Sequence, residues 1–321
     1  MAGFTETTVS LAAKVCLSIS LASAAPAPQI YSLAWQPDGR AIALGGYKET
    51  RLVDPASQKL LATLSGNAEA VRAVAFSHDG KSLATAGGLP ARKGEVKIWD
   101  LATQSVTSTL SGHSDCIYAV AFSPDGATIA TASYDKLIKL WDVATAKETS
   151  TLRDHIDSIY ALAFTPDGKR LVSGAADRSV KIWDVASGTR LYTLSDATDG
   201  INTLAISPDG TRVAAAGLDK TIRIWRMGDK EGAIESSLIA HEDAVLKLAW
   251  SPDGKYLASA SADRTIRLFQ AVNLTEVRTM AQQPDWAFGL EFSPDSKRFA
   301  AGLFNGTLEI YEVDHDKVAS K

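Results

Sequence analysis

The chain has 321 residues, a formal net charge of −4, and hydrophobic and charged fractions of 45% and 22%. These fractions are typical of a folded globular protein, and the slight negative charge disfavours nucleic acid as the main partner. Two cysteines are too few for a disulfide-stapled secreted module, and no apolar run reaches the 18 residues of a membrane span.

The first patterned segment is residues 15–21, where apolar residues alternate with small polar ones (Val-Cys-Leu-Ser-Ile-Ser-Leu). This period of two predicts a half-buried strand. A secretory signal peptide is the alternative, because Ala22-Ser23-Ala24 resembles a cleavage site. Glu6 and the lack of a basic residue before Lys14 disfavour it. The strand interpretation predicts a cytoplasmic protein, and the signal-peptide interpretation an exported one.

A short turn sequence then recurs along the chain. It stands at Pro37-Asp38-Gly39, His78-Asp79-Gly80, Pro124-Asp125-Gly126, Pro166-Asp167-Gly168, Pro208-Asp209-Gly210, Pro252-Asp253-Gly254 and Pro294-Asp295-Ser296. Pro presets φ, Asp bonds its own backbone and Gly accepts positive φ, which together favour a tight turn. An apolar alternating run precedes each turn and a second run follows it, so each copy predicts a β-hairpin.

A second motif recurs in phase at the end of a third run. Trp99-Asp100, Trp141-Asp142 and Trp183-Asp184 carry it in full, and Val53, Trp225, Phe269 and Tyr311 occupy the same slot. A fourth run follows most copies. Four short strands in about 42 residues, without helical periodicity, predict an all-β repeat protein whose sheets stack on one another.

The repeat resembles the WD40 family in its period, in Gly112-His113 and in the Trp-Asp pairs. The resemblance implies a single domain over residues 1–321, a seven-bladed β-propeller of four-stranded antiparallel blades. The repeats lie near 30–64, 71–110, 117–152, 159–194, 201–239, 245–280 and 287–313. It also implies that the ring closes through an N-terminal strand near 15–21, which joins the last blade.

Several polar residues superficially suggest a Ser-His-Asp catalytic triad. The resemblance implies instead that His113, Ser133, Asp135 and Trp141 form a structural hydrogen-bond chain inside one blade. The other repeats keep parts of this chain: His155, Asp177 and Trp183; Asp219 and Trp225; His241, Ser261 and Asp263. A catalytic site would be unique, so the repetition predicts no catalysis, and no metal or cofactor motif is present.

The resemblance also implies that three positions per repeat face partners on one rim of the propeller. The residues at those positions include Tyr31, Arg72, Tyr118, Tyr134, Tyr160, Asn202, Leu218, Leu246, Trp286, Phe288 and Phe304. We call this end the aromatic rim. Tyr, Trp and Arg commonly anchor protein interfaces, although aromatic rings also plug channel mouths.

Repeat two is about four residues longer than the common 42-residue repeat, and the extra length falls in residues 87–94. We expect a loop there on the same rim, with Arg92 and Lys93 beside Arg72. Such a positive edge favours an acidic or phosphorylated partner segment. A solvated basic loop is the alternative.

The leading functional hypothesis is therefore a monomeric, non-catalytic scaffold that binds a protein or peptide, with no nucleic acid or membrane partner and no cofactor. A sensor or regulatory propeller within a larger signalling protein is the first alternative. An enzyme or small-molecule propeller is the second, and it would require a cluster of titratable residues at the channel mouth.

Overall fold

The computed structural model describes residues 28–313, and within that range the chain is all-β. The described range therefore contains no helix that could cross a membrane. The predicted closing strand at residues 15–21 lies outside the described residues.

The first half of the described chain forms two groups of strands. β1 (Ser32–Trp35), β2 (Ile42–Gly45), β3 (Tyr47–Val53), β4 (Leu60–Phe76), β5 (Ser82–Leu89), β6 (Lys93–Asp100) and β7 (Ser105–His113) make a continuous antiparallel sheet. The long β4 pairs with β3 over its first part and with β5 over its last. β8 (Ile117–Phe122), β9 (Thr128–Ser133), β10 (Leu137–Asp142) and β11 (Lys147–Arg153) form a four-stranded sheet.

The second half repeats the four-stranded antiparallel pattern. Its sheets are β12 (Ile159–Phe164), β13 (Arg170–Ala175), β14 (Val180–Asp184), β15 (Thr189–Leu194); then β16 (Ile201–Ile206), β17 (Arg212–Gly217), β18 (Thr221–Met227), β19 (Gly232–Ile239); then β20 (Val245–Trp250), β21 (Tyr256–Ser261), β22 (Ile266–Gln270), β23 (Glu276–Met280). The last sheet has three strands within residues 28–313: β24 (Ala287–Phe292), β25 (Arg298–Leu303) and β26 (Leu308–Glu312).

The recurring turn joins the first two strands of each sheet, as its chemistry predicts. In the turn after β8, the Ser123 hydroxyl donates to Asp125, and the same carboxylate oxygen accepts the N–H of Ala127. Gly126 has φ 72°, a left-handed conformation that glycine adopts without a steric penalty. Ser296 takes the same role with φ 60°. We call the end of the molecule that carries these turns the turn rim.

The core lies between neighbouring sheets. Where the third strand of a repeat carries Trp near its end, the Trp packs against the preceding sheet: Trp141 lies with Val96 and Ile98 of β6, and Trp183 with Ile138 of β10. Each sheet thus covers a face that its neighbour would otherwise expose, as expected for a stacked repeat.

The first strands of successive sheets lie side by side, and β24 lies next to β1. Together β1, β4, β8, β12, β16, β20 and β24 line a central cavity of about 730 Å³. Pro124 and His78 line it at the turn rim, and Tyr118 and Tyr160 at the other end. We call this cavity the channel.

Candidate functional site

The polar chain of repeat three forms, but Ser133 is not its middle member. The Trp141 indole N–H donates to the hydroxyl oxygen of Thr131 (2.9 Å), and His113 Nε2 lies 2.7 Å from that oxygen. His113 Nδ1 lies 2.8 Å from Asp135. A Nδ1–H that donates to Asp135, with Nε2 accepting from Thr131, satisfies every group in the chain.

Ser133 makes other hydrogen bonds, so the prediction that it joins Trp141 to His113 was wrong. Its hydroxyl donates to the carbonyl of Cys116 at 2.9 Å and accepts the backbone N–H of Asp135 at 3.1 Å. Thr131 and Ser133 are two residues apart on one strand and therefore face the same side. The sequence places two hydroxyls on that face, and the hydroxyl of Thr131 is the one that accepts the tryptophan N–H.

The same shift of two residues applies in repeats four and six. Ser173, which precedes the expected slot, joins Trp183 to His155, so repeat four has a complete chain that ends on Asp177. In repeat six His241 bonds Ser259 and Asp263. Ser261, the predicted member, instead donates to the carbonyl of Asp243.

In repeats two and five, other residues accept the hydrogen bond from the buried tryptophan indole. In repeat two Asn67 replaces histidine and bonds Thr85, which accepts from Trp99. In repeat five the Trp225 indole donates directly to Asp196 at 2.7 Å, and Asp219 pairs with Arg223. Asn67 was not predicted as a member of the chain, because the family pattern places histidine in that slot.

The three carboxylates that bond the chain histidines, Asp135, Asp177 and Asp263, have lowered pKa values. Burial by itself would raise the pKa of Asp177, but hydrogen bonds from His155 and Ser179 outweigh it and hold that pKa well below the usual range. Burial lowers the pKa of His241 despite the neighbouring Asp263. The hydroxyls of Thr131, Ser173 and Ser259 belong to residues with no exposed surface. No solvent-borne substrate reaches them in this conformation.

Four of the predicted rim residues meet at one side of the channel mouth. Tyr118 contacts Tyr160 edge to face (ring centroids 5.2 Å apart) and Tyr134 at 6.2 Å. The Arg72 guanidinium lies over the Tyr118 ring, 4.9 Å from its centroid. These four residues are the first aromatic cluster. Tyr134 keeps 47% of its surface exposed, so the cluster offers ring area to a partner.

A second aromatic cluster lies across the seam between the last and first sheets. Phe304 contacts Tyr31 at 5.6 Å and Phe288 at 5.8 Å, and Phe288 contacts Trp286 at 6.2 Å. The Trp286 indole donates to the carbonyl of Ala262, yet 46% of the residue is exposed. Offset and edge-on geometries of this kind stabilise ring pairs by about 0.5–1.5 kcal/mol each.

The remaining predicted rim residues lie apart from the two clusters. Leu218 is 49% exposed. The Asn202 side chain donates to the carbonyl of Val245 and so joins two first strands, while Leu246 is half-buried. Asn202 therefore already has a structural contact.

The inserted segment of repeat two is not the loop that we expected. β5 continues to Leu89 and β6 starts at Lys93, so the extra residues lengthen a paired hairpin. Lys93 forms an ion pair with Glu95 (3.3 Å), which offsets its charge. Arg92 forms no ion pair within the described chain, and Arg72 stacks on Tyr118. Arg72 and Arg92 are therefore the residues of the predicted positive edge that have no ion pair within residues 28–313.

Two charged residues that were not predicted as site residues lie inside the channel. Lys247 on β20 and Glu291 on β24 both line it. Glu291 accepts the backbone N–H of Trp35 at 2.7 Å, across the seam between the last and first sheets. Burial raises the pKa of Glu291 to about 7. The available signal was that both residues occupy slots that hold small residues in other repeats. No group of metal-ligating side chains occurs within residues 28–313.

Comparison with known families gives two matches. Residues 158–320, half of the chain, match the model described as IFT122 first beta-propeller, and residues 58–100 and 104–142 match the WD domain, G-beta repeat. Comparison with the curated proteins gives no match. The two family matches confirm the resemblance inferred from the turn spacing and the Trp-Asp pairs.

Proposed function

Because the chain belongs to the WD40-repeat β-propeller family, we propose that it is a non-catalytic scaffold that binds a partner protein or peptide on its aromatic rim. Domains of this family generally mediate protein–protein interactions. The observation that carries the proposal is the first aromatic cluster. Three tyrosines and one arginine stand together at the channel mouth, with ring surface left over.

The chemistry of the cluster supports binding over a purely structural role. Rings that only filled a core would be covered, as Trp183 and Trp225 are, whereas Tyr134 is about half exposed. A tyrosine already held by its neighbours loses little conformational freedom when a partner covers it. The rings of Tyr118 and Tyr160 are fixed by mutual contact and by Arg72, so they are preorganised for docking.

A capture experiment tests this function. Immobilised wild-type chain and a Tyr118→Ala/Tyr134→Ala/Tyr160→Ala variant are exposed to the same lysate, and the bound proteins are identified by mass spectrometry. We expect a protein that binds the wild type and is lost from the variant. The matched control carries Val106→Ala, Leu191→Ala and Ile234→Ala, three exposed apolar residues on outer strands. The proposal is wrong if the tyrosine variant and the control capture the same proteins.

We further propose that the propeller has seven blades and that residues 15–21 close it as the outer strand beside β26. The seven in-phase turns and the seven strands around the channel support the blade count. β26 pairs with β25 on one side only within residues 28–313, which leaves room for a strand on the other. Unpaired sheet edges are a liability that folded proteins cover.

Deletion of residues 1–24 tests the closure. We expect a marked fall in the melting temperature, because the deletion would expose the β26 edge. The control deletes residues 1–12 alone. It keeps the 15–21 segment and should leave the melting temperature near that of the full chain. Equal melting temperatures for the 1–24 deletion and the full chain would contradict this closure.

A further inference from the structure

The channel wall is made almost entirely of small side chains. Positions along each first strand are counted here from the apolar residue that opens the repeat: Ile30, Val71, Ile117, Ile159, Ile201, Val245 or Ala287. The fifth position then holds Ala34, Ala75, Ala121, Ala163, Ala205, Ala249 or Glu291, and the third holds Ser32, Ala73, Ala119, Ala161, Thr203, Lys247 or Gly289. Lys247 and Glu291 are thus the two ionisable residues at fourteen positions. The small residues leave a volume of about 730 Å³, which is within the range of ligand-binding cavities.

Polar groups on the other first strands already have partners in the next sheet. The Thr203 hydroxyl accepts the N–H of Leu248 at 3.0 Å, and the Ser32 hydroxyl donates to the carbonyl of Val71 at 2.9 Å. These contacts tie adjacent sheets together at the channel wall. They show what a polar residue in this position does when it serves the fold alone.

Lys247 lacks such a contact. Its ammonium makes no hydrogen bond and no ion pair within residues 28–313, although the residue is only partly exposed. Burial lowers the pKa of Lys247, which reflects the unfavourable transfer of its charge from bulk water. An uncompensated cation in a confined site is costly, and a bound anion would relieve that cost.

The other charges in the channel reinforce this polarity. Arg72 also lines it and makes no carboxylate ion pair in the described chain, so two cations face one carboxylate, Glu291. His78 lies at the opposite end. Because the pKa of Glu291 is raised to about 7, its negative charge is incomplete near neutral pH. Burial weakens the charge of Lys247 as well, and a bound carboxylate would favour the charged form of this amine. An anionic occupant therefore complements Arg72 and Lys247.

The channel is also continuous with the aromatic rim. Arg72, Tyr118, Tyr160 and Phe288 belong to the two aromatic clusters, and all four line the channel as well. A chain segment that docks on the rings lies at the entrance to the small-residue wall.

We propose that the segment docked on the aromatic rim inserts an acidic side chain into the channel, where its carboxylate pairs with Lys247. This inference rests on the proposed function, because it assumes a segment bound at the rim. The small residues provide the space, Arg72 guides the negative charge at the entrance, and Lys247 receives it. The ion pair supplies specificity for the partner's acidic residue, while the rings supply most of the buried area.

The test uses a minimal probe of the acidic side chain on the full chain. N-acetyl-L-glutamate amide is titrated into isotope-labelled protein, and amide resonances are followed by NMR. We expect saturable shifts at β20 and β24, including Lys247 and Gly289. N-acetyl-L-glutamine amide, which has the same shape without the charge, should shift these resonances at least tenfold less at equal concentration.

Variants decide whether Lys247 is the receptor. Lys247→Met should reduce probe affinity at least tenfold, and Lys255→Met, a matched change on the exposed turn before β21, should leave it unchanged. Lys247→Met replaces an unpartnered charge with an apolar chain, so we expect it to fold; Lys247→Gln provides the second variant if it does not. Undiminished binding to the folded Lys247 variants, equal shifts from the two probes, or tighter binding of inorganic phosphate would each overturn the proposal.

The two proposals fail separately. Tyr134 does not line the channel, so Tyr134→Ala should leave probe binding unchanged while it weakens capture of the partner. Probe binding at Lys247 together with failure of the capture experiment would refute rim docking and, with it, an acidic side chain inserted from a docked segment. Captured partner without probe binding would refute the acidic side chain alone.

Discussion

The two ends of this propeller differ in how far their residues recur from repeat to repeat. At the turn rim one small hydrogen-bonded unit recurs, in which a buried hydroxyl, such as that of Ser77, Ser207 or Ser293, donates to the aspartate two residues on. At the aromatic rim the residues change from repeat to repeat, from Tyr118 to Asn202. At the turn rim these hydroxyls and carboxylates hydrogen-bond to each other. At the aromatic rim part of the ring surface of Tyr134 and Trp286 stays exposed.

The difference separates framework from binding surface. Some contacts recur in successive repeats, including the hydrogen-bond chains that run from Trp141 and Trp183 to aspartate. Such recurring contacts stabilise the fold. Residues that break the period, such as Arg72 and Lys247, make no ion pair within residues 28–313 and line the channel instead. Substitutions in the framework should therefore lower stability, and substitutions at the aromatic rim should lower binding.

The largest effect on stability is expected from Thr131→Val. The change removes the oxygen between Trp141 and His113, and each buried polar group left unsatisfied costs about 1–3 kcal/mol, so we expect a loss of about 2–5 kcal/mol. Denaturant unfolding measures it. Thr149→Val, at an exposed threonine, is the matched control and should cost well under half as much. Equal losses for the two variants would contradict the assignment of Thr131.

A smaller loss is expected from Ser123→Ala at the turn rim. The hydroxyl donates to Asp125 and accepts the N–H of Thr128, and we expect about 1–2 kcal/mol from the loss of these two contacts. Thermal and chemical unfolding of Ser111→Ala, an exposed serine, provides the comparison. If both variants are as stable as the wild type, the turn does not hold the framework.

A pH-dependent effect concerns Glu291, whose pKa rises from 4.5 to about 7 on folding. The folded chain binds this proton more tightly than the unfolded chain, so stability from this group is complete below pH 4.5 and is lost as the pH rises through about 7. Glu291→Gln removes that loss, since Gln can still accept the Trp35 N–H. Its melting temperature relative to the wild type should rise by a few degrees between pH 5 and pH 8.

The control for this pH effect is Glu231→Gln, at an exposed residue on the turn rim. Its melting temperature relative to the wild type should not change with pH. Arg72, Lys247 and His78 line the same channel as Glu291, and Arg298 lies over the Trp35 ring. A flat profile for Glu291→Gln would show that these groups or solvent keep the carboxylate charged in the folded chain.

Much of this arrangement was predictable because it repeats. Turn chemistry and spacing predicted the hairpins, and the Trp-Asp slots predicted which residues pack between sheets. The relay hydroxyl was misplaced because Thr131 and Ser133 share a strand face and both can donate. The sequence of repeat four indicates the correct position, because it has a hydroxyl at Ser173 and none at Ala175. The channel charges required the fold, because Lys247 and Glu291 come together only when separate first strands surround one space.

The central claim, that the aromatic rim binds rather than supports, is tested most directly by Tyr134→Ala. Tyr134 is about half exposed and lies outside the channel wall. Calorimetric titration of the captured partner should show affinity at least tenfold weaker than for the wild type, with a melting temperature within about 2 °C of it. Unchanged affinity, or a variant that loses binding only because it has unfolded, would contradict the claim.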